Sequence, residues 1–189
     1  MTTDGFTFDV ERPRQLSRLL IFLKWLFVIP HTFILGIYGW AVGIVSTLAW
    51  FIILFTGQYP AVLWDFVWPY VKWTTRINVY TYLLRDEYPP FGDGPYPMQL
   101  TLTRPDRSSR LLVLGRIFLL IPLALWLIVV GCVQLVLVIY AWFMILTSGT
   151  IPAGTFDYLV GILRYITRVT CYLLMLTDTW PGFSMSEQG

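Results

Sequence analysis

The feature that most constrains this chain is a gapless internal repeat at an offset of 92 residues. The segment 49–54, AWFIIL, matches 141–146, AWFMIL, and the register continues downstream without an insertion. The matched pairs include Gly57 and Gly149, Pro60 and Pro152, Asp65 and Asp157, Arg76 and Arg168, Asp86 and Asp178, and Phe91 and Phe183. A repeat of this length indicates a duplicated structural unit rather than a bias in composition.

The composition predicts an integral membrane protein. Hydrophobic residues make up 57% of the chain, charged residues only 13%, and the mean hydropathy is +0.67. The largely apolar runs 32–56 and 117–146 are longer than the roughly 20 residues that a helix needs to cross a bilayer. The first ten residues lack the basic start and apolar core of a signal peptide.

Each repeat begins with a short alternating segment that predicts a half-buried strand. The apolar residues that alternate with polar ones are Phe6, Phe8 and Val10 in the first copy and Met98, Leu100 and Leu102 in the second. The predicted units are therefore 6–91 and 98–183. The turn-rich segment 92–97, GDGPYP, is the linker between them.

A long apolar stretch follows each strand and is too long for one straight crossing. Pro30 and Pro122 stand at equivalent positions within it, and we expect them to divide it. The segments before the prolines, 18–29 and 110–121, are then short interfacial helices, and 30–55 and 122–147 are the crossings. The second helix of each copy is predicted at 61–84 and 153–176.

These elements predict an all-α membrane protein with two tandem parallel repeats. Each repeat has a short strand, an interfacial helix and a transmembrane helix hairpin, which gives four spans in total. Two spans per copy keep the copies parallel, with a pseudo-twofold axis along the membrane normal. Basic clusters around Arg18 and Arg110 place the strands and both termini on the cytoplasmic side. If the second helices instead lie in the membrane plane, the second copy is inverted.

The second helices carry a repeated stripe of charge. The spacing of seven and then four residues places one acid and two bases on one helix face. The stripe is Asp65, Lys72 and Arg76 in the first copy and Asp157, Arg164 and Arg168 in the second. Each stripe thus has one anion for two cations. An aspartate of the other repeat, a carboxylate of another subunit or a lipid phosphate could supply the missing anion.

Two further groups of residues are candidates for contacts with helices and lipids. Gly36, Gly39 and Gly43 lie in the first crossing, where small residues allow helices to approach closely. The basic residues near the predicted interface are Arg18, Lys24, Arg110 and Arg116. We expect their side chains to extend toward lipid headgroups.

The sequence contains no recognisable catalytic or cofactor-binding motif. His31 is the only histidine, so one chain cannot build a histidine-rich metal site. A phosphate-binding glycine loop, a nucleophile elbow and an extended basic patch for nucleic acid are all missing. We therefore predict a protein that is not an enzyme and that carries no cofactor or metal.

The repeated string resembles a known family. The pattern is Ala-Trp-Phe-x-Ile-Leu-x-Thr/Ser-Gly-x-x-Pro-Ala, followed by the aspartate, the arginine and a terminal Leu-x-Asp-x-aromatic-Pro-x-Phe. It is similar to DUF4389, a bacterial membrane domain of unknown function that often occurs twice in one chain. The resemblance implies a membrane protein of bacterial origin, and with the four predicted spans we expect a multi-pass protein of the bacterial inner membrane. It carries no established activity.

Two functions fit these residues. The first is a non-catalytic scaffold or accessory subunit of a membrane protein complex, because two short strands leave open edges that a partner can cover. The alternative is a small channel or carrier for ions or lipids, lined by the charged stripes. The expected partners are membrane lipids, including anionic ones, and either other membrane subunits or a second copy of this chain.

Overall fold

The computed structural model describes residues 5–184 as a mostly helical chain with one small sheet. The elements in chain order are β1 (Thr7–Val10), α1 (Leu20–Thr56), α2 (Ala61–Thr81), β2 (Met98–Thr101), α3 (Arg110–Ser148) and α4 (Ala153–Leu173). Two helices are long and apolar enough to cross a membrane, α1 and the part of α3 from Phe118 to Ser148. The two chain ends, predicted to be cytoplasmic, lie outside the described residues.

The two strands pair with each other in an antiparallel sheet. Phe8 lies opposite Leu100, and these two residues are equivalent at the offset of 92. The pseudo-twofold axis that relates the copies therefore passes through this pair, perpendicular to the sheet. Phe8 and Val10 are buried while Thr7 and Asp9 are exposed, which is the alternation that the sequence predicts.

The long helices are continuous through their prolines. Pro30 lies inside α1 and Pro122 inside α3, so the prediction of separate interfacial helices was wrong. A proline removes one intrahelical hydrogen bond and can kink a helix, and a long apolar helix tolerates that loss. The 37 residues of α1 extend about 55 Å at roughly 1.5 Å per residue. This length is nearly twice the hydrocarbon thickness of a bilayer, which is about 30 Å.

Glycines with left-handed backbone end both long helices. Gly57 has φ 73° and Gly149 has φ 74°, and their N–H groups donate to the carbonyls of Ile53 and Ile145. A residue with a side chain adopts this conformation only with strain, which explains a glycine at the same place in both copies. The chain then enters α2 or α4 after a short turn.

The second helices end earlier than the sequence predicts. α2 ends at Thr81 and α4 at Leu173, three residues before the predicted limits in each case. Leu83 and Met175 follow in left-handed conformation, with φ 67° and 61°. Propensity gives no signal for this turn, because apolar residues rarely adopt a positive φ.

The two copies run in opposite directions. The Leu16 N–H donates to the Gly149 carbonyl at 2.8 Å, and the Ser108 N–H donates to the Gly57 carbonyl at 2.9 Å. α1 thus begins where α3 ends, and it ends where α3 begins. A twofold axis reverses the direction of helices that run perpendicular to that axis. The prediction of parallel copies is therefore not confirmed.

The helices form two layers with different surfaces. α2 and α4 cross at the pseudo-twofold axis, where the hydroxyl oxygens of Thr75 and Thr167 are 3.5 Å apart, and β1 packs against α4. α1 and α3 contact each other and carry most of the exposed large apolar side chains. We call these two helices the long-helix layer, and the outer surface of β1 and β2 the strand face.

We expect a disulfide to link α2 and α4 when Thr75→Cys and Thr167→Cys are combined in a Cys132→Ala, Cys171→Ala background. The short distance between the two hydroxyl oxygens brings the side chains within reach of disulfide geometry. Intact mass and gel mobility after mild oxidation measure the bond. Thr75→Cys with Thr170→Cys is the matched control. Equal cross-linking of both pairs would contradict the crossing.

Candidate functional site

A buried ion pair closes the first helix hairpin. The Lys24 ammonium on α1 lies 2.8 Å from the Asp86 carboxylate and donates to the Arg85 carbonyl at 2.6 Å. The other Asp86 oxygen accepts from the Ser17 N–H at 2.5 Å. Lys24 also lies over the Tyr80 ring, and only 2% of its side chain is exposed. A charge this deep requires such a complete set of partners.

The second copy repeats the arrangement with arginine in place of lysine. An Arg116 Nη lies 2.6 Å from the Asp178 carboxylate and donates to the Thr177 carbonyl at 2.7 Å. The other Nη donates to the Tyr172 carbonyl, and the guanidinium lies over the Tyr172 ring. Asp178 accepts from the Ser109 N–H at 2.5 Å. Every partner occupies the position equivalent to the first copy.

The left-handed turn after each second helix brings the carboxylate of Asp86 or Asp178 to the long helix. In the first copy, the Leu84 N–H reaches back to the Val79 carbonyl, and in the second the Leu176 N–H reaches the Cys171 carbonyl. A left-handed apolar residue costs roughly 1 kcal/mol or more. Both copies accept this strain at Leu83 and Met175, where the chain must turn back toward the long helix.

The predicted role of Lys24 and Arg116 at lipid headgroups was therefore wrong. Both side chains point into the hairpin and are buried, whereas Arg18 and Arg110 are exposed. The sequence contained a signal for the pairing, since Lys24 and Arg116 recur at the offset that matches Asp86 with Asp178. It did not show that residues 62 positions apart meet.

The linker supplies the anion for the first charged stripe. Asp93 lies 2.6 Å from the Lys72 ammonium and 2.9 Å from an Arg76 Nη, and Arg76 also donates to the Gly92 carbonyl. Hydrogen bonds from Lys72 and then Arg76 lower the pKa of Asp93. Asp93 lies in the linker, outside the repeated units, and is therefore none of the three anion sources expected from the sequence.

The second stripe contacts backbone carbonyls. Arg164 Nε donates to the Phe8 carbonyl at 3.1 Å and so fixes β1 on α4. Arg168 donates to the Ser184 carbonyl at 2.9 Å. The residue equivalent to Asp93 is Met185, so the second copy has no carboxylate at this position of the sequence.

The two aspartates of the stripes stand apart from these basic residues. Asp65 and Asp157 are exposed near the beginnings of α2 and α4. Within residues 5–184, no hydrogen bond or ion pair involves either carboxylate. The structure thus does not join the acid and the bases of one stripe into a single site.

The glycines of α1 differ in their surroundings. A Cβ on Gly39 would lie 3.0 Å from the Tyr70 hydroxyl, so this glycine allows close contact with α2. A Cβ on Gly36 or Gly43 would meet nothing within 4 Å. Within one chain, Gly39 is therefore the one of the three where a side chain would meet α2, and the packing role of Gly36, Gly39 and Gly43 stays a prediction.

The chemistry of these sites is structural charge pairing. Within the described part of the chain, no group of three or more histidine, cysteine or acidic residues could hold a metal ion. Lys24 and Arg116 are enclosed by their partners, and Asp93 occupies the basic side chains of the first stripe. The arrangement joins segments of the chain.

These features define a class of duplicated helical protein with two helices apolar enough to cross a membrane and a buried ion pair in each copy. The chain belongs to the family described as a domain of unknown function, DUF4389, whose model matches residues 18–92 and again 110–185. The two matches confirm the tandem resemblance. No curated protein and no solved structure matches the chain.

We expect Asp178→Asn to lower the free energy of unfolding by about 3 kcal/mol, because Arg116 would keep its charge in a buried site without a carboxylate. Thermal and denaturant unfolding in detergent measures the change. Asp157→Asn is the matched control, and its exposed carboxylate should change the stability by less than about 0.5 kcal/mol. Equal effects of the two substitutions would contradict the importance of the buried pair.

Proposed function

We propose that this protein is a non-catalytic membrane scaffold of the bacterial inner membrane that lies along one face of the bilayer. In this arrangement the long-helix layer is immersed in the apolar core. The strand face is turned to the cytoplasm, where it receives a neighbouring subunit of a membrane complex. This proposal replaces four separate crossings with one immersed layer.

The location of the strand face supports this orientation. The sheet lies on the pseudo-twofold axis, midway between the two ends of the long helices. If these helices crossed the membrane, the exposed Asp9, Gln99 and Asp93 would lie near the middle of the hydrocarbon. Exposed polar groups and open strand edges are very unfavourable at that depth. When the pseudo-twofold axis instead runs along the membrane normal, all three residues lie in water.

The long-helix layer supplies the matching apolar surface. Its exposed residues on α1 include Phe33, Ile37 and Trp40, and those on α3 include Ile128 and Val136. An exposed apolar surface that extends over helices of this length is much larger than the patches found on soluble monomers. Lipid tails would cover this exposed apolar surface, so no second protein is needed to bury it.

The first charged stripe favours a scaffold over a channel. Lys72 and Arg76 are already bound to Asp93, whose side chain is 58% exposed on the outside of the helices. A conducting path needs charged groups that face a continuous interior route. These side chains instead attach the linker to α2.

We expect cysteines at Gln15, Gln99 and Arg107 to react with a membrane-impermeant maleimide from the same side of the membrane. Gln15 and Arg107 are equivalent exposed positions at opposite ends of the long-helix layer, and Gln99 lies on the strand face. The test uses single cysteines in a Cys132→Ala, Cys171→Ala background, with inverted and right-side-out vesicles. Labelling of Gln15→Cys and Arg107→Cys from opposite sides would refute the orientation.

We expect a partner subunit to co-purify from native membranes at fixed stoichiometry and to be lost when the strand face is altered. Asp9→Arg with Gln99→Arg places two positive charges on this exposed face, which disfavours a complementary surface. Gln58→Arg, in the exposed turn after α1, is the matched control. Selective ion flux in liposomes that Asp65→Asn with Asp157→Asn abolishes, with the fold intact, would contradict a scaffold.

A further inference from the structure

The two ends of the long-helix layer carry the same exposed dipeptide. Arg18 and Leu19 at one end correspond to Arg110 and Leu111 at the other. Both leucines are almost fully accessible, at 78% and 81%, and neither packs into the protein core. An exposed leucine beside an exposed arginine is typical of a boundary between lipid tails and headgroups.

Contacts hold each arginine at this boundary. Arg18 donates from one Nη to the Thr147 carbonyl in the last turn of α3. Arg110 lies against Gly57, and its Nε is 3.3 Å from where a Cβ on that glycine would lie. Each guanidinium is therefore positioned beside the end of the other copy's long helix.

The chemistry of these arginines fits a phosphate. A guanidinium has five N–H donors in a planar fork that matches two phosphate oxygens. The contact to Thr147 uses one Nη of Arg18, and the rest of this exposed side chain can reach a ligand. Exposed apolar residues of α1 and α3, such as Phe22 and Leu114, continue from each end along the long-helix layer.

We infer that each end of the long-helix layer binds the headgroup phosphate of an anionic phospholipid. Arg18 or Arg110 contacts the phosphate, and Leu19 or Leu111 enters the acyl region beside it. The inference rests on the proposed orientation, because only that orientation puts both ends in one leaflet. It assigns two equivalent lipid sites about the pseudo-twofold axis.

The test measures lipid retained by the purified full chain after reconstitution into nanodiscs of mixed phosphatidylglycerol and phosphatidylcholine. We expect enrichment of phosphatidylglycerol, and removal of an arginine should weaken its own site about fivefold. Arg18→Gln and Arg110→Gln should therefore each lose about half of the enrichment, and the double variant most of it. Arg18→Lys with Arg110→Lys should retain part of it. Lys72→Gln is the matched control, since the Lys72 ammonium is bound by Asp93.

Three outcomes overturn the inference. The first is no enrichment by the unaltered chain, and the second is unchanged enrichment in the double glutamine variant. The third is equal stabilisation of the chain by phosphatidylglycerol and by inorganic phosphate at the same concentration. Leu19→Ser with Leu111→Ser keeps both arginines and should weaken lipid retention, which covers the case in which the glutamine variant fails to fold. Same-side labelling of Gln15→Cys and Arg107→Cys together with no enrichment by the unaltered chain would refute the lipid sites alone. Opposite-side labelling would refute the proposed orientation.

Discussion

The rest of the structure depends on the attraction between a buried cation on each long helix and a carboxylate just beyond each second helix. Lys24 and Asp86 join the beginning of α1 to the chain after α2, and Arg116 and Asp178 do the same for α3 and α4. A four-residue turn alone would fix only one end of each hairpin. The ion pair fixes the other end, and the same carboxylate also orders the segment that leads into the long helix. Each long helix and its second helix are thus held together at both ends of the hairpin.

The charged groups serve different purposes although the sequence groups them together. The buried pairs are the same in both copies and hold each hairpin closed. The charges on α2 and α4 position segments outside the helices, namely the linker at Asp93 and strand β1 at the Phe8 carbonyl. Duplication thus preserved the hairpin contacts and the equivalent bonds from Arg76 to the Gly92 carbonyl and from Arg168 to the Ser184 carbonyl, whereas the carboxylate of Asp93 belongs to the first copy.

Much of the fold could be predicted from the sequence. The offset of 92 located both copies, the period-two pattern gave the strands, and the turns after Thr56 and Ser148 were anticipated. The buried pairs could not be predicted, because they depend on left-handed residues at Leu83 and Met175 that no local preference announces. The direction of the second copy was also hidden. It follows from strand pairing across 92 residues, and local pattern contains no information on such pairing.

The backbone bonds between the copies have a consequence for the history of the fold. Gly57 and Gly149 each offer a carbonyl to the segment before the other copy's long helix, and Arg18 contacts the end of α3. One copy alone would leave these groups without partners. A chain with a single copy could complete the same contacts only by pairing with a second molecule about the same axis. The tandem chain is in this sense a homodimer whose two subunits have been joined into one polypeptide.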